Sequence, residues 1–394
     1  MGNLRRKLHD GTVTAFTFLA VLFLSNCQEA TLSTESPSLN NVQGHATVAL
    51  LVPSSSERQG DNVLAQSIEN AAAIAISEFK QRGIQIDLRV YDTAHDPEIA
   101  AQQAAQAVVD GAEIILGPIY STTTQAASQA IAGRGVNLLS FSNNARIAGN
   151  NVYLLGATYQ NTADRLVAYA ESQGKMSIII VYSNNVAGQS GRDAIESAIR
   201  QTQIQVAGTV TYDLSQQSVI QSIPVIKSIA ESASVDAIFF TSTSAGAMPL
   251  YAQLLPEAGL VSPDIQFMGL ARWDIPTQTL DLHGLQKGWF ALPDPVHTQQ
   301  FETQYRERYG QTPHPIGSLA LDGITAIGTL ISNNEFEPLS RRSLTQSNGF
   351  QGANGVFRFH HDGTNTKGLA IAEIQNKQVR VIDPAPTSFT NFGS

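Results

Sequence analysis

Cysteine is nearly absent, because Cys27 is the only one among 394 residues. That excludes a disulfide framework and any zinc site built on paired cysteines. Charge is scarce as well. Asp, Glu, Lys and Arg make up 14% of the chain against a usual quarter, while the hydrophobic share of 42% is ordinary, so Gln, Asn, Ser and Thr carry the surface. The 24 basic residues face 33 acidic ones, for a net charge of −9, and no run of three bases occurs beyond Lys7. Nucleic-acid binding rests on neutralising phosphates, so this balance excludes such a partner. The patterns G-x-S-x-G, H-E-x-x-H and G-x-x-x-x-G-K-[ST] are also missing, which removes the local signatures of nucleophile-elbow hydrolases, zincins and P-loop enzymes. The eight histidines are scattered, and His360 and His361 would face opposite sides of a strand, a poor arrangement for chelation. A non-enzymatic protein with neither cofactor nor metal is expected.

What is present begins with a targeting pattern. Arg5, Arg6 and Lys7 precede an apolar run from Val13 to Leu24, too short to span a bilayer, which reads as a signal h-region. The run ends in Leu24-Ser25-Asn26-Cys27. This resembles a bacterial lipobox, with Asn26 where a smaller residue is usual, and it implies acylation of Cys27 and tethering to a membrane only through that lipid. Gln28 after the cysteine resembles the sorting signal for a Gram-negative outer membrane, facing the periplasm. Residues 1–26 are then the signal peptide, and 27–44 the lipidated cysteine with a polar tether.

The remainder is long enough for two lobes rather than one core. Ala46 to Val52 is a continuous apolar run that suits a strand buried on both faces. Leu64, Ile68, Ala71, Ala72, Ala75 and Phe79 fall on one face of a helix. Ile86 to Tyr91 is a second strand, and Asp96-Pro97 reads as N-cap and N1 of a helix ending near Asp110. Ile114 to Leu116 is a third strand, a helix capped by Ser121 runs to Ala132, and Val136 to Ser140 is a fourth strand. This alternation demands a parallel sheet with helices on both faces. The pattern restarts with strands at Met176 to Tyr182, Ile204 to Tyr212, Ala237 to Thr241 and Gln266 to Gly269. The helices between them span Gly188 to Thr202, Val219 to Ser232 and Gly246 to Ala258. Two helices follow, Thr298 to Tyr309 and Ser318 to Ser332, with the first lobe as their host. Strands at Val356 to Phe359, Leu369 to Ile374 and Val379 to Ile382 read as antiparallel additions.

The opening ATVALLVP, the Gly117-Pro118-Ile119-Tyr120-Ser121 turn, and Ser140 nineteen residues after Ser121 form one set of landmarks. Gln266-Phe267-Met268-Gly269, Gly355-Val356-Phe357 and Asp362-Gly363 form another. In this order the chain resembles the type I periplasmic binding proteins, in particular the leucine/isoleucine/valine-binding group, from about Ala46 to Asp383. The resemblance implies an α/β fold of two Rossmann-like lobes with parallel sheets, joined by three crossings near Leu155, Phe290 and His361. Lobe one is then 45–155 plus 290–360, lobe two 156–289 plus 361–384, and 385–394 a tail. Gln266 to Pro276, Gly288 to Pro295 and Asp362 to Leu369 further resemble the lipoproteins that activate penicillin-binding proteins. That resemblance implies a regulator of cell-wall synthesis whose partner is a class A peptidoglycan synthase. The alternative is the substrate-binding lipoprotein of an ABC importer, with an ABC permease as partner and an amino-acid-like or small anionic solute in the cleft.

In open α/β sheets ligands sit beyond the carboxyl ends of the strands. By resemblance, Ser121 and the segment Ser142, Asn143 and Asn144 fall on the family's ligand-binding positions, with Tyr159 and Thr243 as further candidates. Amino-acid binders place an acid after the strand ending in Met-Gly; here Ala271 stands there, followed by Arg272 and Trp273. An ammonium buried without its acid would lose its charge partner. Arg272 would instead grip an anion and Trp273 stack on a ring. The same residues have a plainer reading: Ser121 as an N-cap, Arg272 paired with Asp274, and Trp273 packed in the hinge.

Overall fold

The computed structural model describes residues 44–333 and 336–389. Cys27 and the signal segment lie outside them. Strand β1 (Gly44–Val52) is buried along seven consecutive residues, as a central parallel strand covered on both faces must be. Helix α1 (Asp61–Gln81) buries Leu64, Ile68, Ala71, Ala72, Ala75 and Phe79. Strand β2 (Ile84–Asp92) leads to α2 (Pro97–Val109), whose N-cap Asp96 accepts from the amides of Glu98 and Ile99. Next come β3 (Ile114–Leu116), α3 (Ser121–Ala130), β4 (Asn137–Ser140) and β5 (Val152–Leu154). The first sheet is wholly parallel in the order β2-β1-β3-β4-β5. Three-residue β5 has no sequence signal of its own and was not expected; its apolar side chains are buried against its neighbours.

The second lobe repeats the scheme. Helix α4 (Tyr159–Ser172) opens on a capping box between Thr158 and Asn161, and β6 (Ser177–Ser183), α5 (Val186–Ile199), β7 (Gln205–Tyr212) and α6 (Gln216–Ala233) follow. Strand β8 (Ala237–Phe240), α7 (Met248–Glu257), β9 (Gln266–Gly269) and β10 (Trp289–Pro293) complete its parallel part in the order β7-β6-β8-β9-β10. The chain returns through α8 (Pro295–Tyr309), α9 (Ser318–Ser332) and the single turn α10 (Arg341–Leu344). Phe301 and Tyr305 of α8 and Ile324 and Ile327 of α9 share one buried cluster with Val48, Leu50 and Leu116, so the first lobe hosts both helices. Strands β11 (Phe350–Gly352), β12 (Gly355–Phe359) and β13 (Asn365–Lys367) form a small antiparallel sheet. Finally β14 (Leu369–Gln375) and β15 (Gln378–Asp383) extend the second sheet as antiparallel strands beyond β10.

Two crossings depart from expectation. Phe290 is not a crossing point but the second residue of β10, paired with β9 and β14, so the chain leaves the second lobe after Pro293. The run Trp-Phe-Ala-Leu is apolar enough for an interior strand, and it takes that place. Residue His361 lies in the tight turn between β12 and β13, whose Phe357 and Phe359 belong to the first lobe's core. The third crossing therefore falls at Gly368. It is anchored by a buried ion pair: Lys367 Nζ lies 3.0 Å from Asp322 Oδ2 on α9, while Asp322 Oδ1 accepts from the Ala353 amide at 2.8 Å. The first crossing is held by Asn365, whose Nδ2 donates to the carbonyls of Leu154 (2.7 Å) and Gly156 (3.0 Å), and whose own carbonyl accepts from Asn161 Nδ2 at 2.7 Å.

Candidate functional site

Strands β3 and β4 end side by side, and their following loops carry a ladder of hydroxyls. At its base Ser140, fully buried, donates to the Pro118 carbonyl and meets Thr124 Oγ1 at 2.8 Å. The Ser142 amide donates to Ser140 Oγ at 3.1 Å, and Ser142 Oγ lies 3.2 Å from Ser121 Oγ. Asn144 closes the set, its Nδ2 donating to Ser121 Oγ at 3.1 Å and its Oδ1 accepting from the Arg146 amide. The structure thus brings Ser121, Ser142 and Asn144 together, with Asn143 exposed beside them.

Ser121 is not the N-cap. That position is Tyr120, which provides no side-chain cap, and Ser121 is the first helical residue. Its hydroxyl is directed at Ser142 and Asn144 because the preceding loop delivers it to the sheet's carboxyl edge.

A cavity of about 520 Å³ opens between the lobes, with Asn143, Asn144 and Arg146 on one side and Thr158, Tyr159, Gln160, Val186, Ser190 and Asp193 on the other. Tyr159 therefore joins the lobe-one asparagines. Thr243 does not line this cavity. Its carbonyl accepts from the amides of Gly246 and Met248, forming the turn into α7.

Neither Arg272 nor Trp273 lines this cavity; Arg272 pairs with Asp274, and Trp273 packs in the core of the second lobe rather than in the hinge. Arg272 forms a two-pronged pair with Asp274: Nε donates to Oδ1 at 2.9 Å, and Nη2 to Oδ2. Its charge is thereby matched two residues on. Trp273 is fully buried in the second lobe's core, 6.2 Å from the Phe290 ring. No face of the indole is open to a ligand. At the position where an acid was looked for, Ala271 leaves Asp274 as the acid of that loop, already taken by Arg272.

A second constellation on the first lobe was not read from sequence. Asp61, at the start of α1 and 4% exposed, accepts from Tyr120 OH at 2.6 Å and His95 Nδ1 at 2.8 Å. Burial raises the Asp61 carboxyl, but hydrogen bonds from Tyr120, Ser56 and His95 outweigh it and hold the group below its ordinary value. Burial and the Asp61 carboxylate push the Tyr120 hydroxyl up to about 12. The His95 and Tyr120 rings lie against each other at a tilt of 34°, with centroids 3.7 Å apart. Arg58 Nη1 lies 3.2 Å from His95 Nε2, and its guanidinium stands 5.6 Å from the Tyr120 ring centre. The available signal was positional: these residues follow β1, β2 and β3 at the sheet's carboxyl edge, and the switch in strand order falls between β1 and β3. Among the described residues, no group of three or more His, Cys, Asp or Glu side chains is placed to hold a metal ion.

Two lobes of like strand order, three crossings and a crevice lined by hydroxyl and amide groups define a bilobed binding-protein fold. A family model described as periplasmic binding protein matches residues 46–378, and the chain belongs to that family. No curated protein matches it significantly. Among solved structures it is similar to a Rhodospirillum rubrum protein provisionally described as a branched-chain amino acid ABC transporter. The identity is 17% and the TM-score 0.74, covering 86% of this chain and 100% of that one. A Desulfitobacterium hafniense ABC transporter substrate-binding protein in complex with Leu gives 17% identity and a TM-score of 0.62, covering 86% and 100%. A solute-binding protein of an ABC transporter from Rhodopseudomonas palustris BisB5, in complex with 3,4-dihydroxybenzoic acid, gives 16% and 0.60, covering 88% and 98%. At these identities the likeness is one of fold.

Proposed function

We propose that the protein is the solute-capturing component of an ABC importer, holding a small molecule between its lobes and presenting it to a permease. The observation that carries this reading is the inter-lobe cavity, whose floor of amide and hydroxyl groups includes Asn143, Asn144, Thr158, Tyr159 and Ser190, with Asn144 held in turn by Ser121. Such a floor supplies oriented polar groups without chemistry, which is what reversible capture requires. The similar structures described as ABC transporter substrate-binding proteins support it. No comparison supports the regulator of peptidoglycan synthesis, so the importer reading is preferred over it. Anchoring through a lipid on Cys27, with the lobes in the periplasm, belongs to the same proposal. The test is a thermal-shift screen of the full-length protein with amino acids, organic acids and sugars. A true ligand at a hundred times its Kd adds about 2.7 kcal/mol of stability. A chain that no small solute stabilises, but that captures a peptidoglycan synthase, would reverse the choice.

A further inference from the structure

The two most exposed large apolar side chains among the described residues lie at the end of the first lobe opposite the cleft. Phe336, 93% exposed, stands in the loop between α9 and α10, and Val109, 74% exposed, is the last residue of α2. Both belong to the amino edge of the first sheet. Asn137, which opens β4, donates through Nδ2 to the Leu339 carbonyl at 2.8 Å, and Arg341 Nη2 donates to the carbonyl of Asn150, just before β5, at 3.0 Å. Val109 comes shortly before the start of β3.

A single exposed apolar residue is ordinary, but these two stand among exposed bases. Lys80 and Arg82 lie at the end of α1, Arg134 precedes β4, and Arg341 and Arg342 open α10. Among the described residues the ion pairs take up other bases, such as Arg89, Arg165 and Arg192, and none of these five. The described acids of the edge are Asp110, Glu113 and Glu337. Asp110 accepts from Tyr91 OH and Gln106 Nε2, and Glu113 accepts from the Thr47 amide. A chain of net charge −9 thus turns its bases outward here.

The tether leads off from the same edge. Gly44 opens β1, so close to Ile331 near the end of α9 that a β-carbon there would overlap it. Seventeen residues separate Cys27 from Gly44, and a chain of that length keeps the edge within about 60 Å of a lipid on Cys27. Confinement at that range makes even a weak contact effective.

We propose that this amino edge rests on the membrane: Phe336 and Val109 enter the headgroup region of the bilayer that carries the anchor, and the bases along the edge face its anionic lipids. Apolar side chains set among Lys and Arg suit the interface, and bases beside a negatively charged leaflet add an attraction that salt screens. The inference rests on the anchoring reading and goes beyond it, because a lipid on Cys27 alone leaves the lobes free to turn. The cleft, at the carboxyl end of the same strands, stays clear of the lipid.

The experiment uses the full-length protein reconstituted in vesicles of equimolar phosphatidylcholine and phosphatidylglycerol, with Phe336→Trp as reporter and Leu214→Trp as control. Leu214 is exposed too but follows β7 at the carboxyl edge of the second sheet, and the native Trp273 and Trp289 are buried, giving a constant background. The indole introduced at 336 should shift to the blue and lose most of its added emission to brominated phosphatidylcholine, while that at 214 keeps its own. Adding Arg134→Glu and Arg342→Glu, both at exposed side chains, should restore the emission from 336, as should high salt or vesicles of phosphatidylcholine alone. An indole at 336 left unquenched, equal quenching at both positions, or quenching indifferent to charge would overturn the inference while leaving the anchor intact. A blue shift without quenching would mark a protein partner or a second copy on this edge and overturn it as well. Mass spectrometry showing no diacylglyceryl group on Cys27 would instead remove the anchor, and this inference with it.

Discussion

Trp273 lies against Gly269 so closely that a β-carbon at that glycine would overlap the indole ring, and Gly288 meets the same ring from another side. The two glycines form the slot in which the tryptophan is buried. Gly269→Ala should therefore destabilise by about 1–3 kcal/mol, the usual cost of overpacking. Trp273→Ala, which empties the slot, should cost about 3–5 kcal/mol. Trp273→Phe should cost less, because the indole Nε1 has no hydrogen-bond partner and its removal relieves a desolvated donor. Urea unfolding followed by circular dichroism measures all three. A Trp273→Phe protein of wild-type stability with abolished solute binding would contradict the core assignment.

The Asp322–Lys367 pair joins α9 to the last crossing, and both side chains are buried. Removing one partner leaves a buried charge alone, so Lys367→Met should destabilise by about 3–5 kcal/mol. Replacing both, as Asp322→Leu with Lys367→Met, should recover most of that loss. Some cost must remain because the Ala353 amide and Asn354 Nδ2 lose their acceptors. Chemical denaturation of the two variants checks the pattern, and a double variant no more stable than Lys367→Met would refute it.

Acid should weaken the fold through two half-buried histidines. Burial lowers the pKa of His314, and burial together with the nearby Arg358 charge lowers that of His360. The unfolded chain takes up these protons near the ordinary value of 6.5, whereas the folded chain takes them up only at lower pH. Stability from these two groups is thus complete above about 6.5 and is lost as pH falls through their folded values. Melting temperature should decline from pH 7.5 to pH 5, and His360→Gln, which can retain the contact to Thr366 Oγ1, should reduce the slope. A slope unchanged in that variant would show that His360 does not contribute.

Local rules reached most of the fold because most elements are long and obey one rule each. The unbroken apolar run of β1, the helical spacing from Leu64 to Phe79 and the Asp96-Pro97 start of α2 all stand as read. Helix α4 and strands β5, β10, β11 and β13 escaped, the strands because they are only three to five residues long. Ser121, Ser142 and Asn144, reached by resemblance, do lie together after strands three and four. Arg272 and Trp273 follow β9 as expected, but their direction is set by Asp274 and by the slot between Gly269 and Gly288, which no spacing reveals. The Arg58 cluster was hidden for a related reason: its contacts join residues 34, 37 and 59 positions apart, and only the sheet brings these loops together.

The hinge offers the most direct link between structure and capture. Asn365, from the strand before the third crossing, holds both carbonyls of the first crossing and is held by Asn161 at the start of α4. Opposite this knot, Gly156 lies on the Ser142 carbonyl, where a β-carbon would approach within 2.6 Å. The crossing and the hydroxyl floor are thus in backbone contact. Asn365→Ala removes two donors and frees the crossing, which should broaden the range of lobe orientations seen by small-angle scattering. The additional states compete with the binding-competent one, and apparent affinity falls by the fraction of molecules lost to them. Gly156→Ala acts differently, by pushing Ser142 and Asn143 from their places, and should weaken binding without broadening the scattering distribution. Identical effects of the two variants on both measurements would show that hinge and floor do not make separable contributions.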